Sequence, residues 1–172
     1  MFLVHLEYVP THLEEWISNE YIKRGILTPS DLTISNISRC FGVETVIRNG
    51  KSYSVNIDGT IVLFLSKESR WGLKRNFHHE LCHGLLHEGR QGKDTPIPLR
   101  ELQENQAENF IKYSAIPYHM LSYINFTDVT YTAELFGVPV DICEERIHSI
   151  QIRQAYIRGR LFRSLLPAMS KC

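Results

Sequence analysis

Glu68-Ser69-Arg70-Trp71-Gly72-Leu73-Lys74-Arg75-Asn76-Phe77-His78-His79-Glu80-Leu81-Cys82-His83-Gly84-Leu85-Leu86-His87-Glu88 is the stretch that decides the fold. It contains no proline, and Trp71, Leu73, Phe77, Leu81, Leu85 and Leu86 recur at helical spacing until Gly89, so it reads as one long central helix. On such a helix His79 and His83 lie about 40° apart and ~6 Å along the axis, close enough for both imidazoles to reach one ion. Glu80 sits about 60° further round, where it can hold the attacking water instead of the metal. The H-E-x-x-H spacing therefore predicts a metal site with an adjacent general base, the arrangement of a metallopeptidase.

A catalytic zinc takes three protein ligands and keeps one position open. A polar loop containing Gly92, Lys93, Asp94, Pro96 and Pro98 leads to a further helix, expected from about Leu99 to Ala115 and stopped by Pro117. It offers Glu101, Glu104 and Glu108 on one face, and their spacing does not choose among them.

Upstream, Thr11-His12-Leu13-Glu14 is a capping box opening a helix that runs to about Arg24, with Gly25 closing it. A second helix is expected from Asp31 to Phe41, ended by Gly42. Residues 43–66 then alternate with period two around Asn49-Gly50 and Asp58-Gly59, which predicts a three-stranded antiparallel meander. Downstream, Thr132 to Phe136, Gly137, and Pro139 to about Tyr156 read as a helix-turn-helix pair. The expected organisation is one α+β domain over 1–172: N-terminal helices 1–42, the meander 43–66, metal-site helices 67–117, and a mostly helical region 118–172 with a basic tail.

The chain has 172 residues, 43% of them hydrophobic and 22% charged, the composition of a soluble globular protein that buries a sizeable core. Nineteen basic residues balance nineteen acidic ones, so no global field draws it to nucleic acid or anionic lipid. No run approaches the ~20 apolar residues that a bilayer span requires. Met1 to Glu7 lacks the basic n-region of a signal peptide, and Cys40, Cys82, Cys143 and Cys172 form no C-x-x-C pair, so a cytoplasmic protein with free thiols is expected.

His79-Glu80-x-x-His83, followed by Glu104-Asn105-Gln106-Ala107-Glu108-Asn109-Phe110 and by Pro117, resembles the ImmA/IrrE family of small zinc metallopeptidases. Members resemble one another in an H-E-x-x-H helix, often continued by a Leu-His such as Leu86-His87, then E-x-x-A-x-x-F with a proline thirteen residues after the Glu. The pair Glu134-Leu135-Phe136-Gly137-Val138 through Arg146-Ile147 is similar to the family's closing helix-turn-helix. Ile111, Ile116 and Cys82 depart from the usual Ala, Met and Gly, and none of them removes a ligand or the base.

The resemblance implies a zincin-like fold and one Zn²⁺ per chain held by His79, His83 and Glu104, with Glu80 as catalytic base. By similarity to the E-x-x-x-D pattern of thermolysin-like enzymes, Glu108 is expected to orient a ligand histidine through its other ring N–H. The implied activity is a zinc endopeptidase that cleaves a helix-turn-helix transcriptional repressor of a prophage or mobile element, an anti-repressor protease. The alternative is a non-catalytic metal-binding regulator acting through a partner, for which Glu80 would have no use.

Other residues divide as follows. His87 is too far from His79 to share one zinc and is expected to cap the helix end. His78 is expected to be exposed, and Cys82 to be a buried thiol rather than a ligand. Tyr113, Tyr118, His119, Tyr123 and His148 are unranked candidates for oxyanion stabilisation. The strand Thr60 to Leu65 is expected to pair with extended peptide. Direct DNA binding is not expected, because the second helix of the pair opens with Asp141, Glu144 and Glu145, which repel phosphate. The tail Gln151 to Cys172 carries Arg153, Arg158, Arg160, Arg163 and Lys171 without an acid, and its apolar residues, Ile152, Tyr156, Leu161 and Leu165 among them, are expected to pack on the domain.

Overall fold

The strand richest in apolar residues takes the middle of the sheet. The fold is that of a computed structural model, which describes residues 8–87 and 95–169, and side chains as far as residue 159. Strand β3 (Thr60–Ser66) is flanked by β1 (Glu44–Arg48) and β2 (Tyr53–Ile57), in the order β1-β3-β2. The Asp58-Gly59 hairpin forms as expected: both residues have positive φ, 51° and 88°, as a two-residue hairpin turn requires, and β2 runs antiparallel to β3 with Tyr53 opposite Phe64.

The predicted meander is corrected at β1, which pairs with β3 in parallel, Glu44 opposite Val62 and Arg48 opposite Ser66. The sheet is therefore mixed. The physical reason is burial: Val62, Leu63 and Leu65 are buried, so β3 belongs inside, while β1 and β2 carry polar residues that suit edges. Residues 49–52, instead of closing a hairpin, carry the chain past the end of β3. They are fixed there by Ser66 N–H donating to Ser52 Oγ (2.9 Å) and Lys67 N–H to Arg48 O (2.9 Å).

Helix α1 (His12–Lys23) opens with the expected capping box, and α2 (Ile34–Phe41) ends at Gly42 in the left-handed region, φ 66°. Helix α3 (Arg70–Leu86) lies on β3 and α4 (Ile97–Ala115) lies on α3. The approach of α3 to β3 is so close at Gly84 that a Cβ there would stand 2.7 Å from Ile61 Cγ2. Helix α5 (Val129–Phe136) turns at Gly137 into α6 (Val140–Met169), and Lys74 of α3 donates to Phe136 O at 2.8 Å. The core is continuous through Ile17, Tyr21, Ile37, Leu63, Phe77, Leu81, Phe110 and Phe136. Among the described residues no helix is long and apolar enough to cross a membrane.

Helix α6 corrects the account of the tail. The second helix of the pair does not stop near Tyr156 but continues to Met169. Ile147 and Ile150 are buried, yet Ile152 and Tyr156 are 57% and 66% exposed, so at these positions the apolar face is not packed. From residue 151 to 159 no side chain is buried, and Arg153 donates to the Val9 and Pro10 carbonyls. The side chains of Arg160, Leu161, Arg163 and Leu165, with Lys171, Cys172, the opening Met1 to Glu7, and Glu88, Gly89, Gly92, Lys93 and Asp94, lie outside the described residues.

One buried ion pair joins the two ends of the fold. Glu14 Oε1 is 2.6 Å from Arg146 Nη1, and both side chains are shut from solvent. The same carboxylate accepts from the Tyr8 hydroxyl (2.5 Å) and the Thr11 amide (2.7 Å), while Arg146 Nε donates to Ile116 O (3.3 Å). Burial alone would raise the Glu14 carboxyl, but Arg146 and these donors outweigh it and hold it below the usual carboxylate range. Removing one partner strands the other charge, so Glu14→Ala and Arg146→Ala should each cost about 3–5 kcal/mol in chemical denaturation. Glu14→Leu combined with Arg146→Met should lie closer to the parent than either alanine variant; equal losses in all three would contradict the pair's role.

Candidate metal centre

The i, i+4 spacing on α3 stacks His79 and His83 with ring centroids 4.8 Å apart and their Nε2 atoms 3.1 Å apart. Helix α4 buries Ala107 and Phe110 against the body of the protein, and Glu104, three residues before Ala107, continues that face toward the histidines. Its carboxylate stands 3.3 Å from His79 Nε2 and 3.6 Å from His83 Nε2. Glu101, by contrast, is exposed.

Ligands about 2.0–2.1 Å from a tetrahedral ion are separated from one another by roughly 3.3 Å. The observed separations of 3.1 to 3.6 Å match that figure, so His79, His83 and Glu104 can hold a divalent cation. Both imidazoles are neutral ligands at pH 7. Burial pushes His79 down, against the pull of Glu104 and Glu108, and burial together with His79 pushes His83 down to about 4.

Glu80 is buried beside this cluster. Burial first, and the Glu104 charge second, push its carboxyl up to about 7, while Ser54 of β2 hydrogen-bonds it through both hydroxyl and backbone. Next to Glu80 and His79 a cleft of about 350 Å³ opens, rimmed by Lys51, Glu68 and Arg75. The backbone bond from Ser54 turns the outer edge of β2 toward α3. Strand β3 has neighbours on both sides, so the expected strand for peptide pairing is corrected: the edges belong to β1 and β2, and it is β2 that Ser54 ties to Glu80.

Glu108 stands 3.7 Å from His79 Nδ1, an ion-pair distance rather than a hydrogen bond, and Arg75 Nη2 holds it at 2.6 Å. His79 Nδ1 is buried with no hydrogen-bond partner among the described residues. His87 occupies the end of α3 as expected, but its ring also reaches the cluster, with Nδ1 2.7 Å from His83 Nδ1 and Nε2 3.1 Å from Gln106 Oε1. Besides setting His87 apart from His79, the i, i+4 spacing places this ring against the other nitrogen of His83.

His78 is corrected from exposed to fully buried, its Nδ1 2.8 Å from Ser114 Oγ. It shares the Leu81, Cys82 and Leu85 face, a periodicity that could have found it. Cys82 is a buried thiol pushed up to about 12 by burial and by Glu104. None of the oxyanion candidates lines the cleft. The Tyr113 ring lies under Arg146, Tyr118 packs on Tyr8, His119 bonds Ile26 O, and Tyr123 and His148 are exposed. The cations that do line it are Lys51 and Arg75, neither of which the motif spacing singles out.

Residues 39–148 match the IrrE N-terminal-like domain of peptidase family M78. The chain is 29% identical over 157 residues to the phage-like element PBSX protein XkdA of Bacillus subtilis (strain 168), covering 86% of this chain and 77% of that protein. It is 30% identical over 121 residues to the uncharacterized protein YqaB of the same organism, covering 70% of each.

Alanine at His79, His83 or Glu104 should abolish bound metal in the purified protein, whereas Glu101→Ala should keep it. Metal retained by Glu104→Ala and lost from Glu101→Ala would overturn the geometric choice.

Acid should also destabilise the metal-free protein. His78, His79 and His83 all titrate below 6.5 in the folded state, so the unfolded chain binds more protons and stability is lost as pH falls from 6.5 toward 4. Glu80, raised to about 7, has the opposite sign but is one group against three. Melting temperature should drop across that window. A flat profile would contradict the buried neutral histidines.

Proposed function

The chain belongs to the ImmA/IrrE family of peptidases, and from that premise we propose that it is a zinc-dependent endopeptidase. The observation that carries the reading is the convergence of two neutral imidazoles and one carboxylate beside a buried Glu80 whose carboxyl lies near neutrality. Two imidazoles and a carboxylate suit zinc and leave a position open. Bound there by His79, His83 and Glu104, the ion would polarise a peptide carbonyl and make water a better acid.

The chain's own groups do the rest. Glu80 takes the proton from the attacking water and delivers it to the leaving amine, and a carboxyl raised to about 7 can do both near neutral pH. Ser54 holds that carboxylate from β2 through its hydroxyl and its amide. An extended peptide is placed by adding to the outer edge of β2, where main-chain hydrogen bonds give affinity without fixing the sequence cut. Glu108, held by Arg75, supplies negative charge behind His79 and favours a proton on Nδ1, leaving Nε2 for the metal.

The substrate proposed is a helix-turn-helix repressor of a prophage or mobile element. The family resemblance supports it, as does the likeness to a protein named for a phage-like element. The chemistry belongs in the cytoplasm, where such repressors act.

Glu80→Gln preserves shape but cannot accept a proton. It should keep the metal and the melting temperature while cleavage of a co-expressed helix-turn-helix repressor falls by roughly 10²–10⁴-fold, read on a gel. Cleavage at the parent's rate would remove Glu80 from the chemistry. Loss of function without any cleavage by the parent would instead favour a partner-binding regulator.

A further inference from the structure

A neutral histidine presents only one nitrogen lone pair, and the hydrogen bond at the other nitrogen decides which. For His83 that other nitrogen is Nδ1, 2.7 Å from His87 Nδ1. Two nitrogens at this distance share one proton, so one donates and the other accepts. Gln106 settles the direction. Its Oε1, 3.1 Å from His87 Nε2, can only accept, which places the His87 proton on Nε2 and leaves His87 Nδ1 as the acceptor. His83 Nδ1–H is then the donor, and the His83 lone pair stands on Nε2, the atom 3.1 Å from His79 Nε2 and 3.6 Å from Glu104.

We propose that His87 and Gln106 are positioning residues that hold His83 in its Nδ1–H tautomer and so aim Nε2 at the cation. The opposite orientation of the Gln106 amide would reverse both bonds and set a proton on His83 Nε2, where it would block the ligand position. Helical spacing builds the relay: His79 and His83 on α3 and His87 at its C-cap are successive i, i+4 positions, and Gln106 lies two residues beyond Glu104 on α4. The helix that brings the third donor thus also brings the group that orients the second. The site is asymmetric, because His79 Nδ1 has no such hydrogen bond among the described residues and faces Glu108 at 3.7 Å. Partners of this kind are worth roughly 10–100-fold in metal affinity. The inference rests on the metal site proposed above.

The test measures zinc dissociation constants by chelator competition, together with ¹⁵N histidine spectra of the metal-free protein, which report the tautomer without any metal. His87→Ala should weaken zinc by roughly 10–100-fold and leave His83 a mixture of tautomers. His87→Asn and Gln106→Glu, which keep an acceptor in place, should stay close to the parent. Gln106→Leu, which leaves the His87 ring in place, should also weaken zinc, and it carries the test should His87→Ala fail to fold. A parent whose His83 proton resides on Nε2, or zinc binding unchanged in both His87→Ala and Gln106→Leu, would overturn the relay. A parent that binds no zinc would overturn the metal reading on which the relay rests.

Discussion

Two imidazoles on one helix can converge on an ion, but the third donor must come from another element, so the seating of α4 against α3 is the contact on which the site depends. It is set by side chains with no part in the chemistry. Ala107 and Phe110 bury the α4 face, and His78, fully buried, bonds Ser114 across the pair at 2.8 Å. Ser114 in turn donates to Phe110 O, which leaves its oxygen free to accept from His78 Nδ1. With that register fixed, Glu104 falls opposite His79 and His83, and Gln106 opposite His87.

The same packing concentrates unfavourable electrostatics. Glu80 is raised partly by Glu104, His83 is lowered partly by His79, and Cys82 is raised partly by Glu104. These groups are held close despite mutual repulsion and desolvation, as happens at sites arranged for function rather than for stability. The stability comes from elsewhere, in the apolar core, while the buried Glu14–Arg146 pair ties α1 to α6. A cation among His79, His83 and Glu104 would relieve the local strain by matching carboxylate charge and imidazole lone pairs at once.

Much of this was legible in the chain. The capping box at Thr11, the Gly42 stop, the Asp58-Gly59 turn and the central helix are local signals, and each formed where its chemistry requires. The order of the strands was not legible, because Asn49-Gly50 has the composition of a hairpin turn while the burial demanded by β3 sends the chain across the sheet instead. At the site, i, i+4 spacing sufficed for His79 and His83, and the choice of Glu104 over Glu101 needed a resemblance, because helical phase alone put three acids on one face. Ser54 depended on the tertiary approach of β2, which no local pattern encodes, whereas Arg75 stands one turn before His79 on α3 and only its bond to Glu108 is tertiary. The tail of α6 misled for the opposite reason. Its spacing is helical and apolar, and the helix forms, but Ile152 and Tyr156 stand exposed among the described residues.

The central claim is the ligand set, and X-ray absorption at the zinc edge of the purified protein tests it most directly. The account predicts two imidazole nitrogens and light oxygen donors at about 2.0–2.2 Å, with no sulfur. A zinc–sulfur distance of about 2.3 Å would place Cys82 or another thiol in the shell and contradict it.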